Sequence, residues 1–169
     1  YAYAKSPGAL WVNLYGAGEW RTEVAPGVPV KLAQDTAYPW NGRVRLAVSP
    51  GKAAEFALKL RVPGWAKGGT VRLNNLPVAD APQPGSYFTL RRTWQPGDVV
   101  ELDFPMPAVL VESNPLVEET LNQVAVKRGP VVYCVESADL KGAKVAELSL
   151  PTNADLLPRL PKFPSPAEK

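Results

Sequence analysis

The sequence predicts an all-β fold, an antiparallel β-sandwich of about eleven strands. Three observations predict it. Glycine and proline punctuate the whole chain, at 13 and 19 of 169 residues, and leave only short segments between them. Those segments alternate apolar and polar residues, the period of a strand with one face on a core. The one helix-like stretch, Tyr1 to Lys5, is too short to stand alone.

ALWVNLY (9–15) alternates and ends at Gly16, EWRTEV (19–24) follows, and PGVPVKLAQDT (26–36) comes third. In GRVRLAVS (42–49), Val44, Leu46 and Val48 share one face while Arg43, Arg45 and Ala47 share the other. AEFALKLRV (54–62) turns Phe56, Leu58 and Leu60 inward and Glu55 and Lys59 outward. TVRLNNLPVA (70–79) reads as a hairpin, because Asn74-Asn75 tolerates the left-handed backbone of a tight turn. SYFTLRRTW (86–94) leads into the turn QPGD (95–98), with proline at its second position, and VVELDFP (99–105) returns. AVLVES (108–113), QVAVKRG (123–129) and PVVYCVES (130–137) complete the set. After about Lys141 the pattern fades into a proline-rich stretch that reads as an extended strap or tail.

Composition excludes several functions. Histidine is absent, which removes His-based acid–base chemistry, Ser-His-Asp and Cys-His nucleophiles and most zinc sites. The one cysteine, Cys134, makes no internal disulfide, and its strand-like context PVVYCVE predicts a buried, inert thiol. The net charge of +3 is small, and Lys and Arg stand singly or in pairs, so no nucleic-acid stripe is expected. No apolar run approaches the roughly 20 residues of a membrane span. The start Tyr1-Ala2-Tyr3-Ala4-Lys5 lacks the layout of a signal peptide, and the missing initiator Met reads as a piece trimmed from a longer protein. A single cysteine is compatible with a periplasmic, secreted or cytoplasmic protein alike.

Glycoside hydrolysis uses two convergent carboxylates. Glu118 and Glu119 are adjacent, so on a strand they would point to opposite faces. Glu112 and Glu136 sit in predicted strands, Glu101 and Asp103 flank Leu102 on an outward face, and structural roles are expected for all four. Asp35, Asn41, Asp80 and Asp98 fall in turns, where turn chemistry explains them without a metal. GAG (16–18) follows a strand, but no GK[ST] motif or helix follows it. Aromatics are the better lead. Trp11, Trp20, Trp40, Trp65 and Trp94, with Tyr15, Tyr38 and Tyr87, are either stacking platforms for sugar or plugs at the sandwich ends. Trp65 and Trp94, each at a strand end, favour the plug. Tyr38 and Trp40, in the turn Tyr38-Pro39-Trp40-Asn41-Gly42, are the candidate carbohydrate-binding residues.

QDTAYPWNGRVRLAV, AEFALKLRVPGWA, RRTWQPGDVVELDFPMP, VESNP and VAVKRGPVVYCVE occur in this order. Together, from about Leu10 to Glu136, they resemble the β-sandwich region of glycoside hydrolase family 127, the β-L-arabinofuranosidase type. The resemblance implies a catalytic (α/α)6 barrel on the N-terminal side, with a cysteine nucleophile, a glutamate acid/base and a Cys/Glu-bound zinc. None of those positions maps onto this chain, and Cys134 corresponds to a sandwich strand, not to the nucleophile. The resemblance implies residues 1–8 as a remnant of the preceding helical domain, 9–140 as the sandwich, alone or with a smaller one packed on it, and 141–169 as the strap or tail.

Three readings stay open. The first is a non-catalytic domain that covers a flank of the missing N-terminal barrel of a bacterial glycosidase; it is inactive alone and has no cofactor of its own. The second is a carbohydrate-binding module for arabinose-containing glycans. It predicts two or more solvent-facing rings on one surface, Trp40 or Tyr38 among them. The third is a structural or homodimerisation domain with a contiguous apolar face.

Overall fold

The computed structural model describes residues 1–140, 142–151 and 153–157. Thirteen strands form among them: β1 (Tyr3–Ser6), β2 (Ala9–Val12), β3 (Gly18–Ala25), β4 (Val28–Thr36), β5 (Arg43–Pro50), β6 (Ala54–Arg61), β7 (Thr70–Leu73), β8 (Leu76–Pro77), β9 (Tyr87–Trp94), β10 (Asp98–Asp103), β11 (Ala108–Glu112), β12 (Val124–Arg128) and β13 (Val131–Tyr133). Short 3-10 turns occur at Glu118–Thr120, Ser137–Asp139 and Val145–Glu147. No helix among the described residues is long and apolar enough to cross a membrane. The chain divides into two compact units, residues 1–106 and 107–169. The stretch 9–140, expected as the sandwich, is thus shared between them. The strap or tail expected over 141–169 lies in part outside the described residues, since Lys141, Thr152 and 158–169 are not among them.

The first unit is a sandwich of two sheets. One has the order β1-β2-β6-β9, the other β3-β4-β5-β10-β7-β8. All pairings are antiparallel except β2 with β6, which run parallel. The inner faces carry the residues that the alternation assigns to them. Leu10 and Val12 of β2 and Phe56, Leu58 and Leu60 of β6 meet Leu32 of β4, Val44, Leu46 and Val48 of β5 and Val100 of β10 in one buried cluster. Burial of such side chains contributes about 1.5–3 kcal/mol each.

The N-terminus is a strand, not the helical turn expected over Tyr1 to Lys5. β1 pairs with β2 from Tyr3↔Val12 to Ser6↔Ala9. The Tyr3 ring stacks on Trp20, centroids 4.9 Å apart, and its hydroxyl accepts from Gln34 Nε2 at 2.7 Å. These contacts hold a segment whose own side chains are mostly exposed and show no readable alternation.

The second unit carries one sheet, β11-β12-β13. A two-residue turn joins β12 to β13, with Gly129 at φ 56° in its first central position and Pro130 in its second. Within this unit no second sheet covers the first among the described residues, and Val109, Val111, Val124 and Val132 are exposed. Cys134, just past β13, is exposed too. The expectation of a buried thiol is therefore corrected. PVVYCVE has the pattern of an inner strand, but its sheet has one layer, and burial needs two.

Candidate functional site

The outer face of the six-stranded sheet carries a groove of about 960 Å³. Its floor follows from the same alternation that builds the core. Burying Val44 and Leu46 turns Arg43 and Arg45 out, burying Leu102 turns out Glu101 and Asp103, and burying Val71 turns out Thr70 and Arg72. Register then brings distant residues side by side. Asp35 stands opposite Arg45, Arg45 opposite Glu101, and Glu101 opposite Arg72. A second row runs from Arg43 to Asp103 to Thr70, with Arg43 Nε 3.8 Å from Asp103 Oδ2.

One wall of the groove is the loop after β4. Thr36 Oγ1 accepts from Tyr38 N–H at 3.0 Å and donates to the Arg43 carbonyl at 2.5 Å. Asn41 Oδ1 accepts from Arg43 N–H at 3.1 Å, and Trp40 N–H donates to the Ala37 carbonyl at 2.9 Å across the cis Tyr38–Pro39 bond. The opposite wall is the segment from Pro77 to Pro82, which brings Asp80 to the rim. The floor and walls together mix carboxylates, guanidinium groups and small apolar side chains.

The groove flanks the turn that holds Tyr38 and Trp40, but neither ring lines it. Tyr38 stacks on Trp65, centroids 6.5 Å apart and planes 18° apart, and meets Tyr15 edge-on at 5.9 Å. Burial pushes the Tyr38 phenol above its ordinary value, with the nearby Arg61 cation opposing it. Tyr15 is deeper. Its hydroxyl donates to the Arg61 carbonyl at 2.6 Å, and burial, with Tyr38 beside it, raises its phenol far above the ordinary range. Trp65 packs edge-on against Phe104 at 6.2 Å. Tyr15, Tyr38, Trp65 and Phe104 thus close one end of the sandwich, which makes Trp65 a plug. Trp94 plugs more completely. It is fully buried, stacks on Phe56 at 5.7 Å, and its Nε1–H donates to the Phe56 carbonyl at 3.0 Å. Trp40 is half-buried.

A pair of partly exposed rings does share one surface, the outer face of the four-stranded sheet. Trp11 and Tyr87 meet edge-on at 4.9 Å, with Lys59 Nζ 4.2 Å from the centre of the Trp11 ring. Their polar handles are used internally: Tyr87 donates to Asn13 Oδ1 at 2.8 Å and Trp11 Nε1–H to Ser6 Oγ at 3.1 Å. The sequence named both rings but not their proximity, which needs the pairing of β2, β6 and β9.

Glu118 and Glu119 lie in a 3-10 turn, not on a strand, and both are exposed. Glu101 and Asp103 face one groove, but they do so among Arg43, Arg45 and Arg72. A carboxyl held protonated for general-acid work needs an apolar pocket instead. Among the described residues no group of three or more His, Cys, Asp or Glu side chains is placed to hold a metal ion. The described residues thus bring no such ligand set together for zinc.

The family model "Beta-L-arabinofuranosidase, GH127 middle domain" matches residues 9–106, and "Glycoside hydrolase family 127 C-terminal domain" matches 108–161. The two models meet where the chain divides into its compact units. A non-reducing end β-L-arabinofuranosidase of Bifidobacterium longum subsp. longum is 32% identical over 148 residues, 84% of this chain and 22% of that protein. The crystal structure of a β-L-arabinofuranosidase from Geobacillus stearothermophilus T6 superposes with a TM-score of 0.84 at 44% identity, over 92% of this chain and 24% of that one. A further β-arabinofuranosidase structure gives 0.74 at 35% identity, over 82% of this chain and 24% of that one. The chain spans less than a quarter of the length of these relatives.

Proposed function

The chain belongs to glycoside hydrolase family 127, and we propose that it is the non-catalytic β-sandwich portion of a longer glycosidase, supporting a catalytic barrel that precedes it. One observation carries this reading: the two matches are to a middle and a C-terminal domain, and the chain covers only 22–24% of the relatives it matches. The chemistry of the chain supports it. The groove that holds Glu101 and Asp103 sets both among guanidinium groups, and the one cysteine belongs to the second unit. On this reading the nucleophile, the acid/base and any zinc belong to the barrel, and the substrate is the barrel's. The closed aromatic end and the apolar core give the sandwich its rigidity, which suits a buttress.

A chimera tests the proposal. The matching segment of the G. stearothermophilus enzyme is replaced by this chain, and hydrolysis of an aryl β-L-arabinofuranoside is followed. Retained turnover, unchanged by Cys134→Ser, is expected. The chain alone should release no aryl alcohol above the blank. Turnover by the chain alone, or its loss from a folded chimera on Cys134→Ser, would place catalysis in this chain and overturn the proposal.

A further inference from the structure

We infer that the groove on the outer face of the six-stranded sheet is a binding site for a neutral oligosaccharide chain. Its floor carries Asp35, Arg45, Glu101 and Arg72 in one transverse row over four adjacent strands. Neighbouring strands are about 4.8 Å apart, so acceptor and donor alternate at that spacing across the sheet. Opposite charges placed this way ordinarily pair across strands. Here none of the four carries a hydrogen bond or ion pair to another described side chain, whereas Arg43 and Asp103 in the next row do pair. The polar groups of the row are open to a ligand.

Charge balance narrows the ligand. Three guanidinium groups, Arg43, Arg45 and Arg72, face four carboxylates, Asp35, Asp80, Glu101 and Asp103. A near-neutral field does not concentrate anions, and cations between the carboxylates leave no pocket for a metal. A polyhydroxylated ligand uses both kinds of group, since its hydroxyls donate to carboxylates and accept from guanidinium. The walls suit the same ligand. Ala37, Val78, Ala79 and Pro82 offer small apolar surfaces to C–H faces, and about 960 Å³ accommodates several sugar units. The loop at 36–41 and the segment 77–82 line the groove together with the sheet face, which separates it from an ordinary solvated sheet face. Among the described residues no aromatic side chain lines the groove, so binding is weak, with a Kd on the order of 1 mM.

The choice of arabinose among sugars rests on the family reading; the groove does not. The test is an amide-resolved NMR titration of the 169-residue chain with arabino-, xylo- and gluco-oligosaccharides to tens of millimolar. Saturable shifts centred on Asp35, Arg45, Arg72 and Glu101 are expected with at least one of them, persisting in 0.5 M NaCl. Glu101→Gln and Arg72→Gln should each weaken that binding at least fivefold, while Tyr87→Ala on the other sheet leaves it unchanged. Tryptophan fluorescence of each variant establishes that the sandwich is folded. Shifts confined to Trp11 and Tyr87 or to Tyr38 and Trp40 would overturn the inference. So would binding abolished by salt, or no saturable shift with any of the sugars. The chimera above remains independent of this result, because hydrolysis and groove binding are read separately.

Discussion

Gly42 and Phe104 touch through their backbones. Phe104 N–H donates to the Gly42 carbonyl at 3.0 Å, and a β-carbon on Gly42 would overlap the Phe104 carbonyl oxygen. The contact ties the loop that walls the groove to the strand end that closes the aromatic cluster. Gly42 is not at positive φ, so the glycine is required by close approach and not by turn conformation.

Gly42→Ala therefore forces the backbone apart, at a cost on the order of 1–3 kcal/mol. All five tryptophans lie in the first unit, so the urea midpoint by tryptophan fluorescence reads this sandwich alone. A midpoint matching the parent within error would show that the loop yields freely.

Trp94→Phe should cost more than the size of the ring suggests. It leaves the buried Phe56 carbonyl without its 3.0 Å donor, a loss of roughly 1–3 kcal/mol, and adds a cavity in a fully packed core. Trp65→Phe, at a half-buried ring, is the comparison and should lose less. Equal losses in the same denaturation experiment would remove the special role of the indole N–H.

Asp98 couples the hairpin to the core. Burial pushes its carboxyl up, but the Gln95 N–H, the Asn74 amide and the Arg92 guanidinium together outweigh burial and hold it below the ordinary carboxylate range. A depressed folded value means that the stabilisation is complete above the unfolded value of about 4 and is lost as pH falls through the folded value. Asp98→Asn should thus cost roughly 1–3 kcal/mol at pH 7. The gap to the parent should close in the acid limb. A gap independent of pH would mean that the loss is steric.

The strands and core were legible because a period of two is local: Val44, Leu46 and Val48, or Phe56, Leu58 and Leu60, declare their faces within one strand. The Asn74-Asn75 turn was legible for the same reason. The groove was not. Positions 35, 45, 72 and 101 become one row only through the register of four strands. Tyr38 looked like a platform because a loop aromatic before a strand is ambiguous until its neighbour Trp65, 27 positions away by numbering, is seen stacked on it. Cys134 misled because an apolar alternation records which face could be buried, not whether a second layer is present.

Exposure of Cys134 has a direct consequence. The folded chain should present one thiol to an aromatic disulfide reagent without denaturant, and the signal should not rise when urea is added. A thiol silent until unfolding would restore the buried reading that the second unit contradicts.

The β7–β8 turn gives a prediction of opposite signs at adjacent asparagines. Asn74 and Asn75 have φ 49° and 66°, the pair of positive values that a two-residue turn of this hand requires. Glycine meets that requirement at lower cost than asparagine. The side chains differ, however. Asn74 Oδ1 accepts from Val99 N–H at 2.8 Å and its Nδ2 donates to Asp98 at 2.8 Å, while the Asn75 side chain is exposed. Asn75→Gly should stabilise the sandwich by a few tenths of a kcal/mol, about what relief of a left-handed residue supplies. Asn74→Gly should destabilise it by about 1–2 kcal/mol, because two hydrogen bonds, one to a buried carboxylate, outweigh the same conformational relief. Asn74→Gly combined with Asp98→Asn should then lose less than the sum of the two single changes, since one removes and the other weakens the same charge-assisted bond. Strict additivity in that cycle, read from urea midpoints at pH 7, would mean that the turn and the carboxylate act separately.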